Sequence, residues 1–231
     1  MLTAPQNPAG RLLLVRENIA TAAREACRDP SAITLIGVAK SQSHARVAAA
    51  VEAGLSDLGE NYVQEARDHA ALLAGRALRW HFIGALQSNK TRVVAETFDW
   101  VHTVDRMRIA ERLSEQRPEA MPPLAVCIQV RLADEPAKAG VTPADLPKLA
   151  AGIARLPRLS LRGLMALPPE ETDMKRQRHW FRMLRQLLEQ LNGSGHHLDA
   201  LSMGMSGDYA SAIAEGATHV RIGTALFGAR A

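Results

Sequence analysis

The chain has 231 residues and a formal net charge of +4, from 28 lysines and arginines against 24 acidic residues; 47% of it is hydrophobic and 23% charged. These are the fractions of a globular protein, which excludes a disordered chain, a collagenous fibre and a disulfide scaffold, and the length buries a large core in one or two domains. The basic residues are lopsided, with 23 arginines and only five lysines (Lys40, Lys90, Lys138, Lys148 and Lys175), so each lysine can be weighed singly.

The opening MLTAPQNPAG has neither the basic start nor the apolar run of a signal peptide, and no apolar stretch approaches the ~18 residues that span a bilayer. Cys27 and Cys127 stand far apart and outside any zinc-ligand spacing, so the expected state is a reduced, cytoplasmic protein. Arg11 to Cys27 reads as an amphipathic helix. After it, short apolar runs alternate with longer helical patterns. The strand candidates are Ile33 to Ala39, Ser56 to Gly59, Trp80 to Gly84, Trp100 to Val104, Leu124 to Val130, Leu161 to Leu167, Ala200 to Met203 and Thr218 to Ile222. The helical patterns between them are Ala45 to Ala53, Tyr62 to Leu73, Lys90 to Phe98, Arg106 to Glu115, Asp145 to Leu156, Lys175 to Leu191 and Tyr209 to Glu215.

Strict alternation implies a parallel sheet, and eight such strands close into a single-domain (β/α)8 TIM barrel. Only Thr224 to Ala231 follow the eighth strand, too few for an eighth helix, so the N-terminal helix is expected to cover that part of the barrel. A pI of about 9.4 raises nucleic acid as a partner. The best basic stripe, Arg178, Arg182 and Arg185, reads instead as the solvated face of a helix that buries Leu184, Leu187, Leu188 and Leu191. No nucleic-acid partner and no membrane are therefore expected.

Barrel active sites lie at the C-terminal strand ends, and phosphate favours the loops after strands seven and eight. Those loops contain Gly204, Ser206, Gly207 and Asp208, then Gly223 and Thr224. The glycines allow an anion close to the backbone, the hydroxyls donate, and Asp208 reads as an N-cap opening the next helix. Lys40 follows the buried first strand, which places its ammonium at the barrel mouth. Desolvation beside other cations frees a lysine amine for attack on an aldehyde. A phosphate pocket facing such a lysine points to pyridoxal phosphate. The same position also suits a lysine reaching out to water, and sugar-phosphate aldolases are barrels that use a lysine in this way.

Longer blocks narrow the choice. Leu58 to Glu65, Trp80 to Lys90, Arg162 to Met165, Leu201 to Asp208 and Val220 to Gly228 together resemble the pyridoxal phosphate homeostasis protein family (YggS/PROSC type). The resemblance covers essentially the whole chain. It implies a barrel related to the N-terminal domain of alanine racemase, a fold type III architecture for pyridoxal 5'-phosphate, with the cofactor imine on Lys40. It further implies phosphate contacts from Ser206, Gly207, Gly223 and Thr224, Arg221 near the pyridine nitrogen, Asn61 beside the ring, and His81 and Met165 as walls. Four positions depart from the family pattern. They are Ser41-Gln42-Ser43 after the imine lysine, Ala85 in place of a proline, Arg131 in place of an asparagine, and a tail, Gly228 to Ala231, lacking a closing tyrosine.

The implied role is a monomeric carrier that holds pyridoxal phosphate and supplies it to apoenzymes; the alternative is a weak amino-acid racemase or another enzyme using the same cofactor. An arginine at the pyridine nitrogen disfavours protonation there and weakens the ring as an electron sink. The related racemases bring a second base, a tyrosine, from another domain for which this length has no room. Tyr62 and Tyr209 are the only tyrosines, and neither is expected to replace it.

Overall fold

The computed structural model describes residues 7–133 and 139–228. The sequence readings on residues 1–6, on Lys138 and on the last three residues lie outside them. Eight parallel strands close into a barrel in sequence order: β1 Thr34–Val38, β2 Asp57–Glu60, β3 Arg79–Phe82, β4 Trp100–Val104, β5 Leu124–Gln129, β6 Leu159–Met165, β7 Ala200–Ser202 and β8 His219–Ile222. Closure is made by β1 against β8, with Leu35 opposite Val220 and Ile36 opposite Arg221. The sixth strand begins two residues earlier than its apolar run predicts, because Leu159 and Ser160 pair with Leu124 and Ala125.

The helices are α1 Pro8–Glu25, α2 His44–Glu52, α3 Val63–Leu72, α4 Thr91–Thr97, α5 Met107–Gln116, α6 Leu146–Ile153, α7 Met174–Gly193, α8 Tyr209–Ala214 and the single turn α9 Thr224–Phe227. Their starts follow local chemistry. Asn7 caps α1 by accepting Gly10 N–H at 2.7 Å, with Pro8 at the first helical position, and Asp173 caps α7 by accepting Lys175 N–H at 2.9 Å.

The N-terminal helix does what the count of elements requires. It packs against α2, α8 and α9, burying Leu12, Val15, Ile19, Ala22 and Ala23 where a full-length helix after β8 would lie. Asn18 hydrogen-bonds Tyr209, and Arg28 donates to the carbonyls of Ile213 and Ala217 at 2.8 and 2.7 Å, tying this segment to the end of α8. Among the described residues, no helix is long and apolar enough to cross a membrane.

The arginine stripe of α7 is not a freely solvated face. Arg178, Arg182 and Arg185 converge on the buried carboxylate of Glu215, which follows α8, with contacts of 2.8, 2.9 and 3.4 Å. Burial works against that charge, but the hydrogen bonds from Arg182 and Arg178 outweigh it and hold the carboxyl below the ordinary glutamate range. We expect Glu215→Gln to cost about 1.5–3 kcal/mol, the range for hydrogen bonds to a charged group, seen as a lower midpoint in thermal unfolding. Because the folded-state pKa is depressed, this stabilisation is complete above the ordinary glutamate value of 4.5 and is lost as pH falls through the lowered one. The gap between wild type and variant should therefore narrow in acid.

Candidate cofactor site

At the C-terminal end of the strands, β1, β2 and the loops after β7 and β8 enclose a cavity of about 460 Å³. Lys40, Asn61, Ser206, Gly207, Arg221, Gly223 and Thr224 all line it, as the sequence reading expects. Of the other lysines, Lys148 lies in α6 and Lys175 in α7, while Lys90 ends a 3-10 turn and lines a neighbouring cavity of about 630 Å³. Among the described residues, Lys40 is the lysine facing the two glycine loops.

The backbone after Lys40 is held in an unusual state. Ser41 has φ of +56°, the left-handed region, and its N–H donates to Glu65 Oε2 at 2.9 Å. A carboxylate on α3 thus offsets the strain of the turn that ends β1. The Lys40 ammonium lies 5.2 Å from the centre of the Tyr62 ring, within cation–π range. Tyr62 was set aside in sequence because it opens a helix, but α3 begins so close to the barrel mouth that its ring reaches the lysine. Asn61 is held by close packing: a Cβ on Gly84 would collide with the Asn61 carbonyl.

The loop after β7 is built on Gly204, whose φ is +94° and whose added Cβ would come 2.7 Å from Ala212 Cβ. Asp208 does not cap α8 as expected. Its Oδ1 accepts the N–H of Met205 at 2.6 Å, closing the loop on itself. Burial raises the Asp208 carboxyl above its ordinary value, opposed by that hydrogen bond and by the charge of Arg221. Within the described residues, the N–H groups of Ser206 and Gly207 make no hydrogen bond, and a Cβ on Gly207 would meet nothing within 4 Å. Two free donors, the Ser206 and Thr224 side chains and an open approach suit a phosphate. Lys40 in the same lining suits an aldehyde, so the residues present fit pyridoxal phosphate.

Arg221 is almost fully buried. It donates to Ser202 Oγ at 2.7 Å and to the Ala166 carbonyl at 3.0 Å, and burial pulls its pKa down to about 10. It remains a cation throughout the physiological range and supplies N–H donors to the cavity wall.

Two expected wall residues lie elsewhere. His81 is 1% exposed and sits in the barrel interior between Asp57 and His102, and Met165 packs with Cys127 and Ala200. Both were expected there from the family resemblance. His81 pairs in register with Gly59 and Trp100, and Met165 with Gln129 and Ser202, and neither side chain is among those lining the cavity. Arg131 lines an adjoining cavity of about 430 Å³, which meets the first at Asn61, Ile83, Leu167, Glu170 and Met205. Ser202, Glu65 and the Tyr62 contact were missed in sequence. For Ser202, a polar residue in an otherwise apolar strand was the available signal.

A parallel barrel with glycine-containing loops after β7 and β8 and a lysine ending β1 belongs to the alanine racemase class of barrels, and the profile of the alanine racemase N-terminal domain matches residues 12–231. The alanine racemase of Clostridium difficile superposes with a TM-score of 0.74 at 14% identity, over 95% of this chain and 56% of that one, a likeness of fold alone. The chain belongs to the pyridoxal phosphate homeostasis protein family. It is 54% identical to the Pseudomonas aeruginosa pyridoxal phosphate homeostasis protein over 230 residues, covering 100% of this chain and 97% of the relative. It is 50% identical to that of Escherichia coli over 225 residues, covering 96% of each. PipY of Synechococcus elongatus, solved with pyridoxal phosphate bound, is 38% identical with a TM-score of 0.81 over 91% of this chain and 100% of PipY.

Proposed function

We propose that this protein binds pyridoxal 5'-phosphate in the cavity at the end of β1, β7 and β8, holds it covalently through Lys40, and supplies it to apoenzymes instead of turning over a substrate. The observation that carries this reading is the convergence, in one cavity, of Lys40 with the loops Ser206-Gly207 and Gly223-Thr224. When bound, the cofactor supplies a reactive aldehyde and an electron-withdrawing ring. The chain's own groups divide the work. The free N–H groups of Ser206 and Gly207 hold the phosphate, Tyr62 and the clamped Ser41 turn orient the Lys40 amine, and Asn61 lies along the ring. Arg221, a permanent donor, keeps the ring nitrogen unprotonated, which favours storage over carbanion chemistry. The PipY complex and the names of the relatives support the cofactor and the homeostatic role.

Borohydride reduction of the loaded protein, followed by peptide mass mapping, should place the adduct on Lys40; an adduct on another lysine, or none, overturns the site. Mixing loaded protein with a pyridoxal-phosphate-dependent apoenzyme should restore that enzyme's activity. The alternative, a weak racemase, draws on the Tyr62 ring beside Lys40. Loss of optical rotation from added L-amino acids at ordinary enzymatic rates would establish it in place of the carrier.

A further inference from the structure

The barrel interior contains an unusual set of side chains. The layers of a (β/α)8 barrel are normally filled by valine, isoleucine and leucine. Here Asp57, His81, His102, Ser202 and Arg221 lie along the interior, each 4% exposed or less. They form a continuous series of contacts. Arg221 Nη1 donates to Ser202 Oγ at 2.7 Å, Ser202 Oγ meets His102 Nδ1 at 2.8 Å, His102 Nε2 meets His81 Nδ1 at 2.9 Å, and His81 Nε2 meets Asp57 Oδ1 at 3.0 Å. At the far end Asp57 also accepts two hydrogen bonds from Arg79, at 2.7 and 2.9 Å, and one from Ser56 at 2.6 Å. None of the five interior side chains has a buried polar atom without a partner.

The two ends fix the outermost donors, and two neutral rings between them fix the rest. Arg221 has only donors, so Ser202 Oγ accepts from it. Asp57, receiving donors from Arg79 and Ser56, is an acceptor, so His81 Nε2 carries a proton and donates to it. Burial pushes both histidines below their ordinary pKa, and each ring is neutral with one proton. His81 Nδ1 is then bare and accepts from His102 Nε2–H; His102 Nδ1 is bare and accepts the hydroxyl proton of Ser202. One arrangement satisfies every contact, and all its donors point from Arg221 towards Asp57. His219, whose ring lies 5.9 Å from His102 and 6.2 Å from His81, is held down to about pKa 3 chiefly by burial and adds no charge to the interior near neutral pH.

We propose that Ser202, His102, His81 and Asp57 are positioning residues: a one-directional chain of hydrogen bonds, anchored at the opposite end of the barrel by Asp57 and Arg79, holds the Arg221 guanidinium in place at the cofactor cavity. This rests on the reading of Arg221 as a cofactor-facing group. Ser202 fixes one edge of the guanidinium and the Ala166 carbonyl another. Because Ser202 gives its single proton to His102, its lone pairs stay turned to Arg221. A change at His81, which touches no part of the cavity, therefore reaches Arg221 through two intervening side chains.

Nitrogen-15 NMR of the cofactor-free protein labelled in histidine tests the chain without the cofactor. The expected result near neutral pH is that His81 and His102 are both neutral with the proton on Nε2; a proton on Nδ1 of either, or a doubly protonated ring, overturns the proposal. The second arm compares His81→Leu with His81→Gln, whose amide can both donate to Asp57 and accept from His102. The leucine variant should raise the pyridoxal phosphate dissociation constant about tenfold and shift the absorbance maximum of the loaded protein, with glutamine restoring most of both. A folded leucine variant with unchanged affinity and spectrum overturns the proposal. If it does not fold, the NMR result on the wild type decides. Wild type that binds no pyridoxal phosphate refutes the cofactor reading and leaves the tautomer result to judge the chain.

Discussion

Replacing Lys40 with alanine should abolish the borohydride-reducible adduct and the violet absorbance of the lysine–cofactor imine while leaving the fold intact. Lys40 is partly exposed at the end of β1 and contributes no core packing, so the stability change should fall within about 0.5 kcal/mol. The Ser206-Gly207 and Gly223-Thr224 loops, proposed to hold the phosphate, are untouched by this change. Residual, reversible binding should therefore persist, weakened by about tenfold or more, as measured by equilibrium dialysis. A reducible adduct that survives in Lys40→Ala would move the covalent site, and Lys90, in the neighbouring cavity that shares Asn61, would be the residue to examine.

A chain beginning at Ser31 should aggregate. Leu12, Val15 and Ile19 of α1 are each 5% exposed or less, and burying such side chains contributes roughly 1.5–3 kcal/mol apiece. Their sum, together with loss of the Arg28 bonds to the end of α8, is of the order of a domain's whole stability. The truncation also uncovers α9 and α8, which follow the two phosphate loops, so any protein recovered should bind the cofactor poorly. Size-exclusion chromatography and circular dichroism provide the check; a soluble, cooperatively folding truncation would show that α1 is dispensable.

The barrel itself was legible from period alone. Each of the eight apolar runs became a strand, with ends displaced by no more than about two residues, because parallel strands buried on both faces leave a continuous apolar signature. That Lys40, Ser206, Gly207, Gly223 and Thr224 line one cavity was legible for a related reason: the fold fixes which strand ends form the mouth, and local glycine chemistry marks the two loops. Asp208 was misread because aspartate before a helix serves two purposes, capping the helix or closing the preceding turn, and only the position of Met205 N–H decides between them. The arginines of α7 were assigned to solvent because their shared partner, Glu215, lies 30 residues or more away in sequence.

Sequence by itself determined the fold, the family and which lysine stands at the barrel mouth, since these depend on periodicity and on motifs contiguous along the chain. Tertiary structure alone decided depth within the barrel. Strand register and tilt set whether an inward side chain reaches the cavity or stays beneath it, and neither quantity is written in any single strand. That is why Arg221 lines the cavity while His81 and Met165, which looked equally close to it, do not. The same geometry aligned two histidines, a serine and an aspartate from four different strands into one hydrogen-bonded chain.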